Sequence, residues 1–199
     1  MKSKSVLAIA KAKSVLSAPE VLNNEDSEAF LLSGSALSYQ LLGEHNEGLL
    51  SLSEMLRYFD YLRILTDKPF IIDGQAGFGN PLNTFYSVKA MENHGADIIL
   101  INDQKHPSHS STNKQIHETL PELAGKLKAA LDSHSSKYSA IWLKLDCLAE
   151  YRTTEAKQRI QLAQALGIHD ILIDQSADFP TYEGIKFHHF DYQNQSILD

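Results

Sequence analysis

The sequence predicts an α/β fold in which helices cover a parallel sheet. Short runs of aliphatic and β-branched residues recur along the 199-residue chain, and most of them are apolar almost throughout. Strands that are covered on both faces have this composition. Segments with the helical spacing of apolar residues lie between the runs, and polar residues gather directly after them. This alternation of strand and helix predicts parallel pairing with right-handed crossovers.

Six runs are predicted as buried strands because apolar residues dominate each of them. They are residues 14–18, 29–34, 69–73, 97–103, 139–146 and 170–175. A seventh candidate, residues 185–190, mixes apolar and polar residues.

Four segments between these runs are predicted as helices. Residues 51–65 begin with a serine that can cap the helix, and Glu54 supports its first turn. Residues 83–95 and 153–167 each end on a glycine, which suits the left-handed position after a helix. Residues 116–134 complete the set.

This pattern leaves two layouts open, a doubly wound open sheet and a (β/α) barrel. Both layouts bind ligands at the carboxyl ends of the strands. Polar residues follow the predicted strands at residues 73–75, 102–104, 144–146 and 174–175. The sequence therefore predicts a ligand site at this end of the sheet, whichever layout is adopted.

Composition predicts one soluble domain over residues 1–199, in the cytoplasm. The formal net charge is −7 and the lysines form no basic stripe, so no nucleic-acid partner is expected. No apolar run approaches the roughly 20 residues that span a bilayer, so no membrane partner is expected. Residues 1–14 are predicted as a short amphipathic helix, since their apolar stretch is too short for a signal peptide. The single Cys147 agrees with a reducing compartment.

Four motifs then choose between the layouts. They are LLSGSALSYQLLG, GLLSLSEML, KPFIIDGQAGFGNPLN and GADIILINDQKHP, in this order along the chain. Together they resemble the isocitrate lyase/phosphoenolpyruvate mutase family, in which a Ser-Gly motif, Gly-Leu-Leu-Thr-x-x-Glu-Met, Asp-x-Asp-x-Gly-[Phe/Tyr]-Gly-Asn and Glu-Asp-Gln follow one another. The resemblance covers roughly residues 14–174, and four ordered motifs are far more specific than a lone glycine pattern.

The resemblance implies a (β/α)₈ barrel, or TIM barrel, with its active site at the carboxyl ends of the strands. Members of the family make or break a C–C or C–P bond next to the carboxylate of a small keto, hydroxy or phosphono acid. Mg²⁺ and an enolate-like intermediate are usual. Carried over by position, the resemblance implies catalytic roles for Asp73 and Lys144 and a weak metal site at Asp73 and Asp103. The substrate-binding residues that it implies are Ser33, Gly34, Asn46, Gln75, Gly77, Gly79 and Asn102.

Several of these positions depart from the family pattern. Gln75 stands where the second acid of Asp-x-Asp lies, and Asn102 replaces the glutamate of Glu-Asp-Gln. Two opposite charges 4 Å apart interact by about 4 kcal/mol at an effective dielectric of 20, so these changes weaken Mg²⁺ binding. Lys144 replaces an arginine and keeps the charge without the planar fork that grips a carboxylate. Asp146 is expected to pair with Lys144 or to accept from a backbone amide.

The loop after the fourth predicted strand also departs from the family pattern. It reads KHPSHSSTNK and lacks the cysteine that serves the lyases as acid or base. Two readings of its histidines stay open. His106 and His109 either lie on a solvated loop or, with Asp103, bind Zn²⁺ or another transition metal.

The chain is short for this fold, since a (β/α)₈ barrel usually takes about 250 residues. Few residues follow the sixth predicted strand, so we expect an incomplete barrel of about seven strands. An open edge needs covering. A second subunit is expected to close it, which makes a homo-oligomer the predicted state.

The sequence thus supports three functional hypotheses, of which the third is a hydrolase or lyase that uses the His106/His109 loop with a different metal. The first is a divergent member of the family that binds a small keto-, hydroxy- or phosphono-carboxylate and acts as a C–C or C–P lyase or mutase with a weakened metal site. The second is a catalytically inactive pseudoenzyme that serves as a ligand-binding or interaction module. The missing acids and the missing loop cysteine motivate the second hypothesis.

Overall fold

The computed structural model shows an eight-stranded barrel surrounded by helices. It describes residue 9 and residues 11–24, 26–109, 115–135, 139–174, 176–177 and 181–198. The strands are β1 (Lys11–Ser14), β2 (Ala29–Leu32), β3 (Phe70–Asp73), β4 (Ile98–Asn102), β5 (Ala140–Lys144), β6 (Asp170–Asp174), β7 (Lys186–Asp191) and β8 (Ser196–Leu198). The helices are α1 (Ala18–Asn23), α2 (Gly34–Leu42), α3 (Leu52–Arg63), α4 (Pro81–Asn93), α5 (Leu120–Ser133) and α6 (Thr153–Ala165), with a short 3₁₀ helix at Glu47–Leu49.

The strands form one closed barrel in sequence order, which confirms the predicted barrel fold. Strands β1 to β7 pair in parallel with their neighbours. Strand β8 runs antiparallel to both β7 and β1 and closes the barrel between them. The expectation of about seven strands in an incomplete barrel was therefore wrong. So was the expected closure by a second subunit, because the described chain closes its own barrel.

The β7–β8 hairpin turn explains how so short a segment can close the barrel. The side chain of Asp191 accepts N–H bonds from Gln193 (2.8 Å) and Asn194 (3.0 Å), which stabilises the turn. The amide of Ser14 donates to the carbonyl of Gln195 at 2.8 Å and ties the turn to β1. Because β7 ends at the mouth of the barrel, this turn also lies at the mouth.

Sequence patterns located most of the elements. Strands β2 to β7 and helices α3 to α6 lie within a few residues of their predicted positions. The first strand is Lys11–Ser14, which precedes the predicted residues 14–18 and is not helical as expected for residues 1–14. The rest of that predicted helix, residues 1–8 and 10, lies outside the described residues. Helices α1 and α2 and strand β8 were not predicted.

Side chains alternate between two cores along each strand. The residues that point into the barrel form one buried cluster, which includes Leu31, Ile71, Leu100, Trp142 and Leu172. The residues between them point outward and join the helices in a second, larger cluster. The period of two along a strand produces this division.

Local capping signals fix where the helices that carry the mouth begin. At α3, the Ser51 hydroxyl accepts from the amide of Glu54, and the Glu54 carboxylate accepts from the amide of Ser51. Asn80 and Asn83 exchange the same pair of bonds at α4, which has Pro81 in its first turn. Both arrangements are capping boxes, which satisfy amides that the helix itself leaves free.

Among the described residues, no helix has the length and hydropathy of a membrane span.

Candidate functional site

Four residues at the mouth of the barrel continue the inward-pointing series of the strands. Ser33, Asp73, Asn102 and Lys144 each lie two residues beyond an interior residue of β2, β3, β4 and β5. The strand period of two therefore directs them to the carboxyl end of the barrel. This is where ligands bind in barrels of this kind.

A cavity of about 180 Å³ lies at this end. Of the residues predicted from sequence, Ser33, Asp73 and Lys144 line it. His109 lines it as well, and Tyr192 and Gln195 of the β7–β8 turn cover one side. The remaining lining residues are Leu31, Ser35, Ala36, His45, Leu100, Leu172 and Phe190.

A charged network forms one wall of this cavity. Asp146 Oδ2 lies 3.0 Å from Lys144 Nζ and 2.9 Å from His109 Nε2. Gln104 Nε2 donates to the same oxygen at 3.3 Å, and Gln104 Oε1 accepts from the amide of His109 at 3.1 Å. The expected pairing of Asp146 with Lys144 is present. The Lys144 ammonium also lies 5.9 Å from the centre of the Phe190 ring, within cation–π range.

The network sets the charges of its members. Burial acts against the charge of all three groups. In Asp146 the nearby Lys144 and His109 outweigh burial and hold its pKa well below the usual range. In Lys144 the carboxylates of Asp146 and Asp73 outweigh burial and raise the pKa well above the usual value. Asp146 likewise raises the pKa of His109 against the effect of burial. Lys144 is therefore a fixed positive charge, and His109 is biased toward the imidazolium.

The second wall carries Asp73 beside the start of α2. Asp73 Oδ1 accepts from the amide of Gln75 at 2.9 Å, and Asp73 Oδ2 accepts from the amide of Gly34 at 3.4 Å. The Ser33 hydroxyl caps α2 by accepting from the amide of Ala36. A Cβ on Gly34 would lie 2.8 Å from Gln75 Nε2, so a larger residue there would require the buried Gln75 side chain to shift. The predicted Ser-Gly segment thus lies at the cavity, with the positive end of a helix behind it.

The two amides that replace family acids are buried but do not line the cavity. Gln75 and Asn102 are both fully buried. Neither polar atom of the Gln75 side chain, nor Nδ2 of Asn102, finds a hydrogen-bond partner among the described residues. The amide of Asn102 donates to the carbonyl of Gln75 at 2.8 Å, so the two residues are adjacent behind the mouth.

Three further predicted binding residues have local structural contacts. Asn46 caps the 3₁₀ helix by accepting from the amide of Gly48. Gly77 has φ +76°, and a Cβ there would lie 2.1 Å from the Thr84 hydroxyl oxygen. Gly79 has φ +141°. Both glycines therefore permit the tight turn between β3 and α4, and none of the three lines the cavity.

Asp103 lies behind the charged wall and holds a neighbouring turn. Its Oδ1 accepts from the amides of Asp146 (2.9 Å) and Cys147 (3.2 Å), and its Oδ2 accepts from the Tyr151 hydroxyl at 2.7 Å. Arg159 Nε lies 3.7 Å from the same Oδ2. Burial raises the pKa of Asp103 to about 6, while the Tyr151 hydrogen bond opposes that rise. Its oxygens are thus committed to donors of the protein.

Glu47 is a buried acid at the mouth that the sequence reasoning missed. It is fully buried, and its Oε2 accepts from the Ser108 hydroxyl. Its Oε1 finds no hydrogen-bond partner among the described residues. Burial, with the Asp73 charge added, raises the pKa of Glu47 to about 7. The only sequence signal was its position beside Asn46, where the family often has an acid.

The family resemblance implies Mg²⁺, and the residues present can be tested for it. Asp73 is the only carboxylate that lines the cavity among the described residues, because Glu47, the other acid at the mouth, is fully buried and does not line it. Asp103 is committed to protein donors, and the Lys144 ammonium shares the cavity. Mg²⁺ needs a near-octahedral set of oxygens with at least one or two available carboxylates. This donor set does not fit a resident Mg²⁺ ion.

The two loop histidines have different surroundings. His109 is largely buried and reaches Asp146, so the reading of a solvated loop is wrong for this residue. His106 is exposed, with its ring centre 6.3 Å from that of Phe78. No group of three or more metal-binding side chains occurs in the described part of the chain, and the two histidines form no joint metal site there.

Comparison with known proteins supplies the context for this geometry. The family model for phosphoenolpyruvate phosphomutase matches residues 1–173. An oxaloacetate decarboxylase of Marinomonas sp. is 30% identical over 166 residues, which are 81% of this chain and 56% of the relative. The chain thus spans about half the length of the curated relatives it matches.

Solved structures share the barrel. A phosphonopyruvate hydrolase in complex with oxalate and Mg²⁺ superposes with a TM-score of 0.74 at 25% identity, over 85% of this chain and 59% of that one. A 2,3-dimethylmalate lyase, described as a member of the phosphoenolpyruvate mutase/isocitrate lyase superfamily, superposes with a TM-score of 0.72 at 19% identity. This second match covers 84% of this chain and 57% of the other.

Proposed function

The chain belongs to the phosphoenolpyruvate mutase/isocitrate lyase family, and from this premise we propose that it binds a small keto-, hydroxy- or phosphono-carboxylate at the barrel mouth without a resident Mg²⁺ ion. The observation that carries the proposal is the cavity that places the Lys144 ammonium opposite Ser33 and the start of α2. Relatives named for oxaloacetate, phosphonopyruvate and dimethylmalate support this class of ligand.

The chain's own residues divide the work of binding. Lys144 supplies the positive charge for an acid group, and its partner Asp146 keeps its side chain in place. The hydroxyls of Ser33 and Ser35 offer hydrogen bonds on the opposite side. Asp73 carries a negative charge, so it favours a hydroxyl or another donor of the ligand over a second acid group.

The geometry also favours one catalytic role, which makes cleavage beside a keto or hydroxy acid the second candidate function. His109 lines the cavity, and Asp146 orients it through Nε2. A histidine held in this way can transfer a proton to or from a bound ligand, an effect typically worth 10²–10⁴-fold in rate. Lys144 would stabilise negative charge that develops on the ligand, and Asp73 would position it. These roles for Asp73 and Lys144 were predicted from the sequence.

A catalytically inactive binding or interaction module is the alternative. The buried amides Gln75 and Asn102 support it, since they stand where family members carry acids and hold no charge for a metal. Calorimetry and turnover assays together separate these readings. Binding without turnover favours the module, whereas pyruvate release from oxaloacetate that His109→Ala abolishes favours the enzyme.

The decisive binding experiment compares oxalate, oxaloacetate and phosphonopyruvate, each with Mg²⁺ and with a chelator. We expect binding that is independent of Mg²⁺ and that Lys144→Met weakens at least tenfold, because a buried charged hydrogen bond is worth about 1.5–3 kcal/mol. Lys128→Met is the matched control, since Lys128 is exposed and pairs with Asp132 within one helix. Binding that requires Mg²⁺, or that Lys144→Met leaves unchanged, contradicts the proposal.

We also propose that the protein is a homo-oligomer in the cytoplasm. The chain closes its own barrel, so support for the oligomer comes from exposed apolar side chains on α3, directly after it and on α4, such as Tyr61, Ile64, Leu82 and Tyr86. Sedimentation equilibrium that shows only monomer at micromolar concentration would contradict the oligomer.

A further inference from the structure

A second cavity of about 390 Å³ lies beside the first. Apolar side chains form much of its lining, and its only charged lining groups among the described residues are two carboxylates. The lining residues are Leu145, Leu148, Ala149, Ala177, Ser176, Asp146, Asp174 and Tyr192. The cavity thus has room and apolar surface but offers no cation to an anionic group.

Tyr192 is the residue that the two cavities share. It lines both of them, and it lies two residues beyond Phe190, whose side chain points into the barrel. The rings of Phe190 and Tyr192 meet edge to face with their centres 4.6 Å apart. Asp146 also connects the two cavities, since it lines the second and its Oδ2 lies 3.0 Å from Lys144 Nζ, which lines the first.

We propose that the two cavities, which meet at Tyr192, form one binding site, and that the second cavity takes the apolar substituent of a monocarboxylate whose acid group lies at Lys144. This inference rests on the proposed function and names its ligand class: 2-oxo or 2-hydroxy acids with a short alkyl chain. Alkyl groups gain free energy when the apolar lining removes them from water.

The carboxylates of the second cavity disfavour a dicarboxylate whose second acid group would enter that cavity. Its second acid group would enter a cavity that already holds Asp146 and Asp174 and would lose water without meeting a cation there. Asp174 Oδ1 accepts from the amide of Ser176 at 2.7 Å, which fixes the position of that carboxylate in the lining. Burial, with nearby carboxylates, raises the pKa of Tyr192 to about 12, so its hydroxyl stays a neutral donor at the boundary.

Calorimetry with a homologous series tests the inference. The ligands are 2-oxobutanoate, 2-oxopentanoate and 2-oxohexanoate, with 2-oxoglutarate as the dicarboxylate matched to 2-oxopentanoate. The natural chain is expected to bind about fourfold more tightly for each added methylene. It is expected to bind 2-oxoglutarate more weakly than 2-oxopentanoate.

Two variants locate the effect in the second cavity. Ala149→Phe fills the cavity from an exposed lining position and should abolish the gain with chain length, while Ala165→Phe, at an exposed position at the end of α6, should retain it. Asp174→Asn removes one carboxylate and should tighten 2-oxoglutarate about fivefold. Circular dichroism and thermal midpoints verify that each variant is folded.

The outcomes separate the inference from the proposed function. Short acids that bind with no gain along the series, or a gain that survives Ala149→Phe, overturn the inference and leave the proposed function standing. An unchanged affinity of Asp174→Asn for 2-oxoglutarate overturns the argument from charge. No binding of any acid by the natural chain overturns both.

Discussion

Asp146→Asn should destabilise the protein strongly, because Asp146 is the shared partner of two buried cations. Its Oδ2 lies 3.0 Å from Lys144 Nζ and 2.9 Å from His109 Nε2, and 4% of its side chain is exposed. Removing one partner of a buried ion pair costs about 3–5 kcal/mol, since the other charge stays buried without compensation. Here asparagine removes the ion-pair partner of both Lys144 and His109, while the Asp73 carboxylate still acts on Lys144, so we expect a loss within this range.

Substitution of Lys144, the other partner of this ion pair, should lower the free energy of unfolding by less. Lys144→Met leaves Asp146 with His109 as its remaining partner, so we expect a loss of about 3 kcal/mol or less. The double variant Lys144→Met/Asp146→Asn removes both charges of the closest pair. Its loss should therefore be smaller than the sum of the single losses by about 1–3 kcal/mol, as for other residues in direct contact.

The effect of Asp146→Asn should also depend on pH with a defined sign. The pKa of Asp146 is lowered in the folded state, so its contribution is present above the unfolded pKa of about 3.9 and disappears as pH falls. The pKa of His109 is raised, so its contribution is present below about 6.5 and disappears as pH rises through the folded pKa. The difference from the natural chain should be largest between about pH 4 and pH 6.5.

Urea unfolding followed by the fluorescence of the single buried Trp142 and by circular dichroism measures these losses. Lys128→Met removes an exposed pair and should cost less than about 1 kcal/mol. A loss below about 1 kcal/mol for Asp146→Asn, strictly additive single losses, or a flat pH profile would each refute the reasoning from a shared buried carboxylate.

Three further predictions concern other parts of the chain. The pKa of Glu47 is raised from 4.5 to about 7, so between these pH values the folded state binds more protons than the unfolded state and loses stability as pH rises. Glu47→Gln should remove up to about 3 kcal/mol of this pH-dependent loss, measured from urea midpoints at pH 5 and pH 8. Ser51→Ala breaks the capping box of α3 and should cost about 1 kcal/mol, whereas Ser53→Ala at an exposed position in the same turn should leave the thermal midpoint unchanged. Burial strongly raises the pKa of Cys147, so the native thiol should resist a thiol-specific reagent at pH 8 and react only in urea, and rapid native labelling would contradict its burial.

The sequence revealed a parallel sheet because its strands are buried on both faces, and the family resemblance then selected the barrel. Strands β3 to β6 are continuous apolar runs, and the turn and cap residues around them mark where each ends. The same runs also locate the mouth, since a polar residue two positions beyond an inward side chain must lie at the carboxyl end. The family resemblance then singled out Asp73 and Lys144 among these polar residues, and both line the cavity.

The missed features depend on contacts between distant segments. Strand β8 has three residues and is defined by its pairing with β7 and β1, which no local pattern encodes. Glu47 is a polar residue in a polar stretch, and its burial results from Ser108 on another loop. His109 belongs to a segment that reads as solvated, yet Gln104 and Asp146 hold it at the cavity. Tyr192 had a usable signal, its spacing of two from Phe190, but only once β7 was known to end at the mouth.

The changes at the mouth form one consistent electrostatic argument. In a site with several carboxylates, a divalent cation is needed to hold an anionic ligand, because the carboxylates alone would repel it. Here two of those positions are neutral amides, and a third carboxylate, Asp146, is bound to Lys144 and His109. The cavity therefore keeps, as Lys144, the cation that the family has as an arginine, while the positions that would hold a metal carry less negative charge. A lysine is always present and cannot be chelated, so ligand affinity at this mouth should respond to substitution of Lys144 and not to Mg²⁺ concentration.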